Sequence, residues 1–109
     1  MNTYQIQAQQ GTKAGMKDDA GKARWDMVDF SCLDQMVDVL TDGAAKYDEN
    51  NWQKVENPEA RYFAALMRHL SAWRQGEKID ADDGRRHMAH VMANAMFLLY
   101  FDAKEKNNG

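Results

Sequence analysis

The chain has 109 residues, of which 28% are charged, a formal net charge of -3 and a single cysteine, Cys32. That length suits one small domain whose stability would gain from association with further copies. The acidic balance argues against a DNA or RNA polymer as main partner, and the lone cysteine leaves no intrachain disulfide and fits a reducing cytosol.

No run of about 18 apolar residues could span a membrane, and the N-terminal stretch does not read as a signal peptide. The expectation is a soluble, cytoplasmic protein with no membrane partner. Residues 1–20, MNTYQIQAQQGTKAGMKDDA, are polar and aperiodic, which predicts a flexible N-terminal arm. GKARWDMVDF follows, with Trp25, Met27, Val28 and Phe30 expected along a core in extended or irregular form. Lys22 and Arg24 flank this turn-like entry and are candidates to hold phosphate oxygens, ordinary surface charge being the alternative.

From Ser31 the apolar spacing turns helical. Leu33, Met36, Val37, Leu40, Ala44 and Tyr47 fall at i, i+3, i+4, i+7, i+11 and i+14. Asp34, Asp38 and Asp42 occupy another face, which suits solvent or, as a set of oxygens, Mg²⁺ or Mn²⁺. Gly43 weakens the helix, and DENN at 48–51 ends it. The segment GAAKYDENNW carries Lys46, Tyr47, Asn51 and Trp52, a mixture suited to stacking on a base and hydrogen bonding to it.

Asn57 as cap, Pro58 at the first helical position and Glu59 beside the dipole start the next helix. Its inward face is Tyr62, Phe63, Leu66, Met67, Leu70 and Trp73, and Gly76 stops it. Arg61 and Arg68 fall on its more polar face, where solvation is the default. An acidic connection, EKIDADDG, leads to a last helix from about Arg85 to Phe101, which breaks down in KEKNNG and leaves 105–109 as a polar tail. With one proline and almost no β-type alternation, residues 21–104 read as an all-α domain, a small bundle of about three to four helices.

The last helix carries no Asp, Glu, Lys or Arg between His87 and Phe101. His87, His90 and Asn94 share a narrow wedge of an otherwise apolar surface, and burying such groups unpaired costs about 1–3 kcal/mol each. The rise from His87 to Asn94 is about 10 Å, so one ion could serve His87 with His90, or His90 with Asn94, but not all three. His69 lies near the inward face of the preceding helix. A short connection makes the two helices antiparallel neighbours, so the three histidines are expected to meet near Glu77, Asp80, Asp82 and Asp83. Spacing alone fits a ligand or catalytic cluster and hydrogen-bonded core groups equally well, and it matches no tight zinc signature.

Three blocks in order, GKARWDMVDF, VLTDGAAKYDENNW and RYFAALMRHLSAWRQGEKIDADDGRRHMAHVMANAMFLL, resemble a phage-associated family of small dATP/dGTP diphosphohydrolases of the MazZ type. That family is itself similar to the MazG-like all-α pyrophosphohydrolases. The resemblance covers about residues 21 to 99. Asp29 stands where the family pattern has Pro, Asp42 where it has an aromatic, and Asp48 where it has Gly.

The resemblance implies metal-dependent hydrolysis of purine deoxynucleoside triphosphates to the monophosphate and pyrophosphate, with Mg²⁺ or Mn²⁺ as cofactor, in the host-cell cytoplasm. It carries Lys22, Arg24, Lys46, Tyr47, Asn51, Trp52, Arg68 and Asn94 over as substrate-binding residues. The carboxylate clusters of the MazG-like enzymes are not evident here, so the metal is placed by residue type instead: Glu77, Asp80 and Asp82 of the acidic loop with His90 as ligands, and His69, His87 and His90 as catalytic candidates that bind the ion or orient a water. The resemblance also implies a homo-oligomer, dimer or tetramer. Two other functions fit the chain. One is a histidine/aspartate-type triphosphohydrolase, which lacks its adjacent His-Asp pair here; the other is a non-enzymatic helical adaptor.

Overall fold

The computed structural model describes residues 15–108. Most of the expected N-terminal arm, residues 1–14, lies outside them, and residues 15–24 carry no helix or strand. Three α-helices follow: α1 (Phe30–Lys46), α2 (Pro58–Arg74) and α3 (His87–Asn108). Short 3₁₀ turns at Trp25–Met27 and Asn51–Gln53 precede α1 and α2. The fold is an all-α bundle. Among the described residues no helix is long and apolar enough to cross a membrane.

Each helix end has a local cause. Asp29 caps α1 by accepting a hydrogen bond from the Ser31 amide at 2.9 Å. At the start of α2, Asn57 makes no side-chain cap; it takes a left-handed turn (φ 55°) that hands Pro58 its favoured first position. The α2 C-terminus closes as a Schellman motif. The Gly76 amide bonds the Trp73 carbonyl and the Glu77 amide the Ala72 carbonyl, both at 3.0 Å, with Gly76 at φ 105°.

α3 begins at His87 and continues beyond Phe101 to Asn108, about two turns further than the sequence pattern suggested. The stretch Asp102-Ala-Lys-Glu-Lys is made mostly of good helix formers, with neither Gly nor Pro to stop it.

α3 packs chiefly on α2 and secondarily on α1. The pairs His69–His87 and Tyr62–Phe101 run in opposite chain directions, so α2 and α3 are antiparallel. Ala89 and Ala93 are buried on α3, small enough to bring its backbone against its neighbours. One end of the seam is aromatic: Trp52 stacks on Phe97 at 4.7 Å, Tyr62 lies 4.7 Å from Phe97, and the Tyr62 hydroxyl donates to the Trp52 carbonyl. The other end holds the histidines.

Several residues expected in the core are exposed. Trp25, Met27, Phe30, Val37, Tyr47, Phe63 and Met67 all retain much of their surface. Three helices cover only one side of one another, so a broad apolar stripe keeps a face that a single chain cannot bury.

Candidate functional site

The eight residues from Ile79 to Arg86 form the structural key to the site. An antiparallel bridge joins these two residues, the Asp80 amide bonds the Arg85 carbonyl at 2.8 Å, and the Gly84 amide returns to the Asp80 carbonyl at 2.8 Å. Gly84 takes φ 73°, which a residue without Cβ adopts at no steric cost. Two aspartates brace the loop with one carboxylate oxygen each. Asp80 Oδ1 accepts from the Asp82 amide and Asp83 Oδ1 from the Arg85 amide, both at 2.9 Å. Their remaining oxygens face the histidines.

Asp83 Oδ2 lies 2.7 Å from His90 Nε2, and Asp80 Oδ2 lies 3.8 Å from His69 Nδ1. His69 Nδ1 is in turn 2.9 Å from His87 Nδ1, and the His69 ring stacks parallel on His90 at 4.2 Å. His87 is buried, and its Nε2 has Glu77 Oε2 at 3.3 Å but out of line for a hydrogen bond. Asn94, also buried, donates to the His90 carbonyl at 2.8 Å.

Burial first, then the neighbouring His90, hold the His69 imidazole below its ordinary value against the pull of Asp80. Burial acts to raise Asp83, but hydrogen bonds from the Arg85 amide and from His90 outweigh it and keep that carboxyl below its usual value. The loop is tied to α1 by Arg85, whose guanidinium forks onto Asp42 at 2.8 and 3.0 Å and reaches Asp38 at 3.5 Å.

These groups line one wall of an open cleft of about 1320 Å³. Of the residues expected from sequence, His69, His87, His90, Asn94, Asp80 and Asp82 all line it. So do Lys46, Tyr47, Asn51, Trp52 and Arg68. The indole of Trp52 is already stacked on Phe97, so it serves as wall and as packing at once.

Glu77 does not line the cleft and sits beside His87. Lys22 and Arg24 do not line it either; Arg24 forks onto Asp26, with the shorter contact at 2.6 Å. Arg61, assigned to a solvated face, lines the cleft seven residues before Arg68. Asp83 meets the histidines as its place in the loop suggested, and the Arg85–Asp42 pair is a further member of the site. The one sequence signal for Asp83 is its place in the acidic connection, while nothing in the spacing joins residues 42 and 85.

Among the described residues, His69, Asp80 and His90 each offer one donor atom, and these atoms lie within 4.8 Å of one another. Two imidazoles and a carboxylate are a donor set that fits a divalent cation. Buried His87 Nε2 makes no hydrogen bond within the chain, and Glu77 Oε2 at 3.3 Å is the polar atom beside it.

Residues 12–108 match the family described as the N-terminal part of dATP/dGTP diphosphohydrolases. A dATP/dGTP diphosphohydrolase of Salmonella phage PMBT28 is 32% identical over 88 residues, which is 79% of this chain and 29% of the relative. The chain thus spans less than a third of that curated relative's length. No solved structure matches.

Proposed function

The chain belongs to the family of the N-terminal part of dATP/dGTP diphosphohydrolases, and from that premise we propose that it hydrolyses purine deoxynucleoside triphosphates to the monophosphate and pyrophosphate. The observation that carries this reading is the meeting of His69, His87 and His90 with Asp80 and Asp83 in a cleft that also presents Lys46, Arg61 and Arg68.

In this reading Lys46, Arg61 and Arg68 grip the phosphates, Arg as a planar fork and Lys as a point charge. Tyr47 and Asn51 meet the purine, with the Trp52–Phe97 stack as the wall behind. His69, Asp80 and His90 would hold a divalent cation. Bound there, the cation would neutralise phosphate charge and lower the pKa of water at the site.

Water adds to the α-phosphorus, and the bond from that phosphorus to the bridging oxygen breaks, releasing pyrophosphate. His87 fixes the tautomer of His69 through their shared contact, and Asp83 orients His90, so both act as positioning groups. Lys22 and Arg24 do not line the cleft, and Glu77 stands beside it, 3.3 Å from His87.

We also propose that the chain works as a homo-oligomer. Phe63 and Met67 on α2, and Met92 and Leu99 on α3, remain exposed, and Ala89 and Ala93 are the only buried apolar residues among those described. A second copy would cover surface that one chain leaves open.

The test is direct. The purified protein is incubated with each common nucleotide and Mg²⁺ or Mn²⁺, and the products are identified by mass. Deoxypurine monophosphate with pyrophosphate supports the reading. Tripolyphosphate, or no turnover of any nucleotide, overturns it.

A further inference from the structure

We propose that the centre formed by His69, Asp80 and His90 selects a first-row transition dication that binds imidazole, with Mn²⁺ and Co²⁺ as representatives, over Mg²⁺. This deepens the reading above, and rests on it only for the reaction that the cation serves.

Donor supply decides which cation the centre accepts. Mg²⁺ demands a near-octahedral shell of oxygens and gives up its waters reluctantly. An oxygen-rich site would need several carboxylates to converge, and among the described residues only Asp80 joins the histidine donors. Asp83 is bonded to His90 at 2.7 Å, Asp42 is forked by Arg85, and Glu77 stands beside His87. Asp82 lines the cleft but is not among the groups whose donor atoms converge. What converges is two imidazoles and the one carboxylate of Asp80. Nitrogen donors favour the later first-row ions, and a mixed nitrogen and oxygen set still accepts Mn²⁺.

The surroundings agree with a binding role. The side chains of His69 and Asp80 keep only 20% and 16% of their exposure, so an ion there would be shielded from bulk water. Asp83 on His90 and His87 on His69 are the kind of outer partners that fix the orientation of ligating imidazoles. His69 and His90 stack in parallel at 4.2 Å, and their donors and that of Asp80 already lie within 4.8 Å of one another.

The test uses the whole chain stripped of metal by a chelator. Mn²⁺ binding is followed by loss of the free-ion electron paramagnetic resonance signal, with Mg²⁺ as competitor. Imidazole ¹⁵N resonances of the wild-type protein are followed during titration with diamagnetic Zn²⁺. The expected result is Mn²⁺ uptake that excess Mg²⁺ does not reverse, with ring-nitrogen shifts confined to His69 and His90. His90→Ala and His69→Ala should each weaken Mn²⁺ binding by at least about tenfold.

Full displacement of Mn²⁺ by Mg²⁺, or unshifted histidine nitrogens in the wild type, overturns the inference whether or not the variants fold. The two proposals fail separately. Nucleotide hydrolysis in Mg²⁺ with silent histidines sinks the cation assignment alone. A histidine-bound cation without turnover of any nucleotide sinks the reaction alone.

Discussion

His69 Nδ1 and His87 Nδ1 face each other at 2.9 Å across the seam between α2 and α3. Two imidazole nitrogens at that distance cannot both carry a proton, so one donates and the other accepts, and each tautomer fixes the other. His87→Ala removes this partner from a buried position. The expected cost is about 1–3 kcal/mol of stability, with a loss of nucleotide turnover larger than the lost stability explains. Urea denaturation alongside steady-state kinetics measures both; unchanged turnover in the folded variant would remove His87 from the positioning role.

Arg85 joins α1 to the loop that carries Asp80 and Asp83, using its side chain on Asp42 and its backbone on both aspartates. A bidentate fork has no equivalent in an ammonium group. Arg85→Lys is therefore expected to behave like Arg85→Gln, leaving the helix content intact and lowering kcat. Circular dichroism with kinetics decides the matter, and full activity of Arg85→Lys would contradict it.

The same pair sets a pH dependence. The hydrogen bond from Arg85 holds the Asp42 carboxyl below its ordinary value of 3.8. A carboxyl depressed in the folded state binds its proton more readily when unfolded, so its contribution is present above the ordinary value and fades as pH falls through the folded one. The stability difference between the wild type and Asp42→Asn should thus be seen at neutral pH and vanish in strong acid. Denaturation curves across that range check it, and a difference that persists in strong acid would refute it.

The exposed stripes on α2 and α3 give a prediction about assembly. Sedimentation equilibrium should find a dimer or a tetramer for the wild type, and Phe63→Glu or Leu99→Glu should shift it towards the monomer. A monomeric wild type at all concentrations would contradict the proposal.

Much of this could be read in the sequence, for reasons that differ by residue. The helices followed from period and from punctuation: Pro58 and Gly76 act locally, and local signals survive into the fold. The meeting of His69, His87 and His90 was accessible because a short connection forces antiparallel packing, which converts spacing into contact. The Arg85–Asp42 pair was not, because its members are 43 residues apart and either charge alone looks like solvated surface. The exposed faces of Phe63 and Met67 were misread as core because periodicity reports which side is apolar, and says nothing of whether one chain supplies its partner. Lys22 and Arg24 were candidates by residue type and by family resemblance, and neither signal says whether a side chain lines this cleft.

The central claim is that the histidine end of this cleft hydrolyses purine deoxynucleoside triphosphates, and the most direct measurement compares the wild type with His90→Ala on dATP and dGTP in the presence of Mn²⁺. The expected result is deoxypurine monophosphate and pyrophosphate from the wild type, and little or none from a variant whose circular dichroism is unchanged. Equal product from both proteins, or no pyrophosphate from the wild type, would contradict it.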